Sequence, residues 1–351
     1  MPCVKCQSMP FISTKSGDVI LSCEVPELCQ KLVVFFKAKS IRYSLEDAFT
    51  MIVMVDGFKT FLESLTQTNI FNKLEKSGIR CLFLEPSQSL TPTVLRQMRT
   101  LQYYHDVMGA NALALLIEKG ALTTHFQPII DLKNDTIYGY ESLARGVNDD
   151  GSLVYPDTLF RWAKEGDMLF YLDRACRETS LKTAAVKNIH AKVFINFIPT
   201  AIYDPEHCLQ STVKWANQLE FDPKNIIFEV TESEYVEDLE HLSKILQFYK
   251  AQGFNVALDD VGSGYSSLTM IAKLQPDIVK IDRQIIDRID TNPANQAVFK
   301  AIVSLAKESH ICVLAEGVER VEEVAYCAAN GADLAQGYYF GRPSAEPVRK
   351  L

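Results

Sequence analysis

Ile226-Ile-Phe-Glu229-Val, Ala257-Leu-Asp259-Asp260, Val279-Lys280-Ile-Asp282 and Leu314-Ala-Glu316-Gly317 are the stretches whose reading decides the fold. Each is a short apolar run that closes on charged groups. Tyr138-Gly-Tyr-Glu141 and Phe194-Ile-Asn196 repeat the pattern upstream. Apolar runs of this length, bounded by turn residues, read as strands buried on both faces. Carboxylates at the ends of successive buried strands converge on one rim of a closed barrel, where such folds keep their chemistry. A set made of carboxylates, one amide and one lysine, with no histidine, suits hard divalent cations such as Mg²⁺ or Mn²⁺.

Working outward, strand and helix signals alternate from Thr124 onward. Strands are predicted at Phe126–Leu132, Gly139–Leu143, Val193–Ile198, Ile226–Val230, Val256–Asp259, Ile278–Ile281, Ile311–Ala315 and Gly337–Phe340. Helical segments at Leu159–Thr183, Glu237–Gln252 and Asn295–Ser309 lie between them. This order predicts an α/β chain with a (β/α)₈, TIM-like barrel over 106–351. Residues 1–105 read as a separate small α+β domain in β-α-β-β-α-β order, the order of a ferredoxin-like module, with a regulatory or dimerising role suggested by its position. Thr93 to about Lys119 reads as one long helix interrupted only at Gly109.

Among 351 residues, 47% are hydrophobic and the formal charge is −8. That balance argues against a general DNA or RNA binder, which would usually show a basic face. No apolar stretch approaches the roughly 18 residues that span a bilayer, and the start lacks the order of a secretory signal, so a cytoplasmic protein without a membrane is expected. Nine cysteines, an odd number, argue against a disulfide framework. Cys3-Val-Lys-Cys6 has the spacing of a zinc half-site that Cys23 and Cys29 can complete. Their own spacing does not suit a zinc ribbon, so unligated thiols are the favoured reading.

Residues ~110–345 resemble the EAL-domain phosphodiesterases, which linearise cyclic di-GMP to 5'-pGpG. The resemblance rests on Phe126-Gln-Pro-Ile, Glu141-Ser-Leu-Ala-Arg145, Glu229-Val-Thr-Glu232-Ser, Asp259-Asp260-Val-Gly262-Ser-Gly264-Tyr-Ser-Ser-Leu268, Pro276-Asp-Ile-Val-Lys280-Ile-Asp282, Ala315-Glu316-Gly-Val-Glu319 and Gln336-Gly-Tyr-Tyr-Phe-Gly-Arg-Pro343, in the family's order. It implies a first metal on Glu141, Asn196, Glu229 and Asp259. A second would sit on Asp259, Asp260 and Glu316, with Lys280 orienting the attacking water. It further implies Gln127, Leu143 and Arg145 at the substrate, Asp282 and Gln336 supporting ligands and lysine, and Glu232 steadying the loop Gly262–Leu268. That loop is expected near a homodimer interface.

Ser142 stands where the family has the alanine of its name, Ile198 where serine is usual, and Val261 and Ser263 where phenylalanine and threonine are usual. None removes a ligand or the lysine. The alternative implied by the resemblance is a non-catalytic receptor for the same dinucleotide. Such receptors typically lack some of Glu141, Asp259, Asp260, Lys280 or Glu316, which are all present here.

Overall fold

The computed structural model describes residues 12–66, 70–231, 239–262 and 267–350. The chain separates into two compact units. One holds 12–115 together with Arg161–Met168, and the other holds Leu116–Phe160 and the chain from Leu169 to 350.

In the first unit β1 (Gly17–Cys23) is followed by the helix Pro26–Ala38, β2 (Tyr43–Leu45), β3 (Thr50–Val55), the helix Phe58–Thr66, β4 (Ile79–Leu84) and β5 (Arg99–Thr100). The sheet order is β2-β3-β1-β4-β5, and all pairs are antiparallel. The first four strands thus have the ferredoxin-like arrangement, with β5 appended at the edge. Alternation decides which face is covered. Val19, Leu21 and Cys23 of β1, and Met51, Val53 and Val55 of β3, are buried, and join Leu28, Leu32, Phe36, Phe58, Phe61 and Leu62 in one core. Cys23 and Cys29 lie inside it as free thiols, and burial followed by the nearby Cys29 pushes the Cys23 thiol up to about 12. Cys3 and Cys6 fall outside the described residues.

The long helix expected from Thr93 is broken. Pro92–Leu95 is a single turn, the chain then pairs as β5, and separate helices run Leu101–Gly109 and Asn111–Glu118. Thr100 explains the restart, because its hydroxyl accepts the Tyr103 N–H at 3.0 Å and caps a new helix. The segment Leu159–Thr183 is likewise two helices, Pro156–Glu165 and Leu169–Val186, parted where Asp167 takes φ 54°.

The second unit is a closed barrel. Its strands are β6 (Leu122–Asp131), β7 (Thr136–Val147), β9 (Lys192–Asn196), β10 (Ile226–Thr231), β11 (Asn255–Val261), β12 (Ile278–Ile281), β13 (Cys312–Ala315) and β14 (Leu334–Gln336), with β8 (Leu153–Val154) paired outside on β7. The ring closes through β6, which pairs with both β7 and β14 and runs antiparallel to them. All other ring contacts are parallel. The reversal comes from the tight Leu132–Asp135 connection, which leaves no room for a crossover helix and makes β6–β7 a hairpin.

The last strand lies at Leu334–Gln336, ahead of the predicted Gly337–Phe340. Gly337 ends it by close approach: a Cβ there would sit 2.0 Å from the Val318 carbonyl oxygen. Tyr338 and Tyr339, which fall within that predicted strand, are instead 45% and 48% exposed. Inside the barrel, Ile129, Phe194, Ile227, Ala257, Ile278, Leu314 and Leu334 form an apolar plug. Outside it, Val193, Ile195, Phe228, Val256, Leu258, Val279 and Val313 pack against the helices.

Candidate active site

Strand periodicity builds the site from that plug. Two residues beyond Phe194, Ile227, Ala257, Ile278, Leu314 and Leu334 come Asn196, Glu229, Asp259, Lys280, Glu316 and Gln336. A step of two returns the side chain to the same face, so the layer above the apolar plug is polar. Gly139 precedes Glu141 by the same step, and a Cβ at Gly139 would lie 2.5 Å from the Lys192 carbonyl oxygen.

Asp259 and Asp260 are adjacent, and regular alternation would send them to opposite faces. The β11–β12 register shifts between Leu258 and Val261, and Asp260 adopts φ 56°. This irregularity re-aims Asp260 toward the mouth. Glu141, Glu229 and Asp259 then form one group of converging carboxylates, and Asp259, Asp260 and Glu316 a second. In each, one oxygen per residue lies within 4.8 Å of the others, and Asp259 is common to both.

Lys280 is fully buried among them. Its Nζ lies 2.8 Å from Glu229 Oε1, 3.1 Å from Asp259 Oδ2, 2.7 Å from Glu316 Oε1 and 4.0 Å from Glu141 Oε1. Burial opposes its charge, but the carboxylates of Asp259, Glu141, Glu229 and Glu316 outweigh that and hold its pKa well above the usual lysine value. Burial pushes Glu229 and Glu316 well above the carboxylate range even with Lys280 beside them. Burial, then Asp259 and Asp282, pushes Asp260 up to about 7.

Supporting contacts fix the ligand candidates. The Asn196 amide donates to Glu141 Oε1 at 3.2 Å and Glu229 Oε2 at 3.3 Å. Gln336 donates to Glu141 Oε2 at 2.6 Å and to Gln127 Oε1 at 3.2 Å, while Gln127 donates to the Gly341 carbonyl at 3.1 Å. Gln127, expected at the substrate, is held by these contacts and lines the cavity at the mouth of the site. Asp282 hydrogen-bonds Asp260 and caps the next helix by accepting the Gln284 N–H at 2.8 Å.

Leu143 and Arg145 share a face of β7 with Glu141. Arg145 is 6% exposed, donates to the Ala144 carbonyl at 2.8 Å, and lies over the Tyr155 ring at 5.2 Å. Its Nε has no hydrogen-bond partner among the described residues. Asp149, four residues along the chain, pairs with Lys119. Gly262 follows β11 at φ 103°, while Glu232, Gly264 and most of the 262–268 loop lie outside the described residues.

A cavity of about 220 Å³ opens at this mouth, lined by Glu141, Asp260, Asp282, Glu316, Gln336 and Tyr338 among others. Two larger grooves, about 730 and 700 Å³, lie at the opposite strand ends around Tyr138, His310 and Cys312, away from the acidic groups. Sequence reasoning missed Tyr338 at the mouth. It also missed the buried pair Asp173 and Arg177, whose signal was two opposite charges at i,i+4 among the apolar positions of Leu169–Val186.

The donor set fits divalent cations. The ligand atoms are carboxylate oxygens, and the five acids of the two groups face one ammonium. Two divalent cations would match the four negative charges left over when all five ionise. In a barrel of this shape, acids and a lysine at the strand C-terminal ends lie where such folds keep their chemistry.

The chain belongs to the EAL domain family, whose match spans residues 110–343. It is 28% identical over 236 residues to the probable cyclic di-GMP phosphodiesterase PdeG of Escherichia coli K12, covering 65% of this chain and 45% of that protein. It is 31% identical over 232 residues to the cyclic di-GMP phosphodiesterase NbdA of Pseudomonas aeruginosa, covering 63% of this chain and 29% of that protein. The chain thus spans less than half the length of either relative. A standalone versatile EAL protein from Vibrio cholerae O395, solved in its c-di-GMP-bound form, superimposes with a TM-score of 0.59 at 38% identity, over 65% of this chain and 94% of that one. Among the described residues no helix is long and apolar enough to cross a membrane.

Proposed function

We propose that this chain hydrolyses cyclic di-GMP to linear 5'-pGpG with two divalent cations, Mg²⁺ or Mn²⁺. The observation that carries the reading is the pair of carboxylate groups joined at Asp259 around a fully buried Lys280. The names of PdeG and NbdA and the ligand of the Vibrio structure support the choice of substrate.

Glu141, Asn196, Glu229 and Asp259 would hold one cation, and Asp259, Asp260 and Glu316 the other. Bound there, the cations would supply the charge that acidifies a water and neutralises phosphate oxygens. Asn196 would turn its carbonyl oxygen inward to take part. Lys280, held on several sides by acids, would orient the attacking water and hold a proton in the transition state. Gln336, itself bonded to Gln127, would fix the rotamer of Glu141. Arg145, buried with a spare donor, would take a substrate phosphate, with Leu143 against a base.

The test is to incubate purified protein with cyclic di-GMP and Mg²⁺ or Mn²⁺ beside a Glu141→Ala control, read by chromatography. Linear product from the parent alone supports the reading. Binding without product under every metal condition would replace it with the receptor.

Because Glu229, Glu316 and Asp260 must ionise to bind a cation, metal competes there with protons. Groups with raised pKa are protonated at low pH, so Mn²⁺ is expected to bind more tightly as pH rises through about 7, the value reached by Asp260. Calorimetric titration on both sides of neutrality checks this, and a flat affinity would count against the site.

The N-terminal α+β domain would tune turnover or assembly, and the barrel would pair as a homodimer through the 262–268 loop. A chain starting near Gly109 is then expected to keep turnover but change its rate or its oligomeric state. An unchanged rate and unchanged mass by light scattering would remove the regulatory role.

A further inference from the structure

Asp173 and Arg177 sit one turn apart on the helix Leu169–Val186, both buried, at 2% and 0% exposure. Arg177 donates to Asp173 Oδ2 through Nε at 3.0 Å and Nη2 at 2.7 Å. Its Nη1 donates to the Thr212 hydroxyl on the helix Gln210–Gln218. The other Asp173 oxygen accepts the backbone N–H of Ile198 at 2.8 Å. Ile198 stands two residues beyond Asn196, the last residue of β9, and Phe197 between them donates its N–H to the Glu229 carbonyl at 3.0 Å. Tyr249 lies close to Arg177 and stacks on Phe228, the neighbour of Glu229, with ring centroids 3.9 Å apart.

A buried ion pair is a poor source of stability. Desolvation consumes most of its Coulombic gain, and apolar pairs of similar volume commonly stabilise as well or better. What an apolar pair does not supply is a fixed acceptor for an amide at the foot of the site. Left alone, the buried Ile198 N–H would carry the uncompensated cost of its lost hydration. The arginine takes up one carboxylate oxygen in a two-donor grip, which leaves the second aimed at that amide.

We propose that the Asp173–Arg177 pair is a positioning device for Asn196. It pins the chain just past β9 so that the Asn196 amide stays between Glu141 and Glu229, and through this it sets the affinity of the first cation site. The inference rests on the cation reading of that site.

Two isosteric variants isolate the anchor. Asp173→Asn with Arg177→Met keeps an oxygen for the Ile198 amide and removes the charges. Asp173→Leu with Arg177→Met removes the oxygen as well. Mn²⁺ affinity is read by calorimetry on each full-length protein, beside circular dichroism and thermal melting. With folding retained, the leucine variant is expected to bind one Mn²⁺ equivalent about 10–100-fold more weakly, as lost support behind a ligand does. The asparagine variant should stay within about threefold of the parent, since its amide oxygen can still accept that N–H. Ile198→Pro, which deletes the donor together with the isoleucine side chain and fixes φ, carries at least the same expected loss should the leucine variant not fold. Parental affinity in the leucine or proline variant would overturn the proposal, as would an equal loss in the asparagine variant. A parent that binds no Mn²⁺ would overturn the cation reading and this inference with it.

Discussion

Replacing Lys280 with methionine is expected to slow cyclic di-GMP turnover by about 10²–10⁴-fold while the barrel stays folded. Methionine matches the stem of the lysine, so the apolar wall of the site is kept. What disappears is the ammonium that lies within 3.1 Å of Glu229, Asp259 and Glu316. Burial already pushes Glu229 and Glu316 toward the protonated state, and they can compensate by holding protons, or by holding cations when these are present. The loss should therefore appear in the chemical step rather than in folding. Single-turnover rates at saturating Mn²⁺, beside a melting curve, separate the two. A rate within tenfold of the parent would remove Lys280 from the chemistry.

Asp259→Asn should be at least as damaging, for a different reason. Asp259 is the one side chain common to both carboxylate groups, and it lies 3.1 Å from Lys280. An amide keeps the shape but offers one oxygen instead of two and carries no charge. The expectation is loss of Mn²⁺ at both positions and a fall in turnover on the order of a thousand-fold or more, the scale of removing a charge clamp from a transition state. Calorimetry should show the stoichiometry dropping from two ions to none under conditions that saturate the parent. Retention of two ions with parental affinity would mean that Asp259 bridges nothing.

Much of the site was legible because strand periodicity is local. Phe194 with Asn196, and Ile227 with Glu229, announce a buried strand whose next inward residue is polar, and no tertiary knowledge is needed to see it. The position of Asp260 was a different matter. Its aim depends on a register shift against β12 and a left-handed backbone, which arise from pairing between segments and leave no mark in a single strand. The last strand was misplaced for a related reason. Tyr338, Tyr339 and Phe340 carry strong β propensity, but Gly337 packs on the Val318 backbone and turns the chain out toward solvent. The direction of β6 depended on loop length, which excludes a crossover helix. Asp173 and Arg177 were hidden because charges inside a helix ordinarily mean a solvated face.

The apolar plug across the barrel interior has a bearing on traffic. Ile129, Phe194, Ile227, Ala257, Ile278, Leu314 and Leu334 close the floor beneath the acids, so the site opens at the mouth and not through the barrel. A cyclic dinucleotide entering and a linear one leaving would use the same opening, and cations exchanging with solvent would queue behind whichever nucleotide is seated. Accumulating product would then act as its own stopper, competing with fresh substrate for the threshold it has yet to vacate.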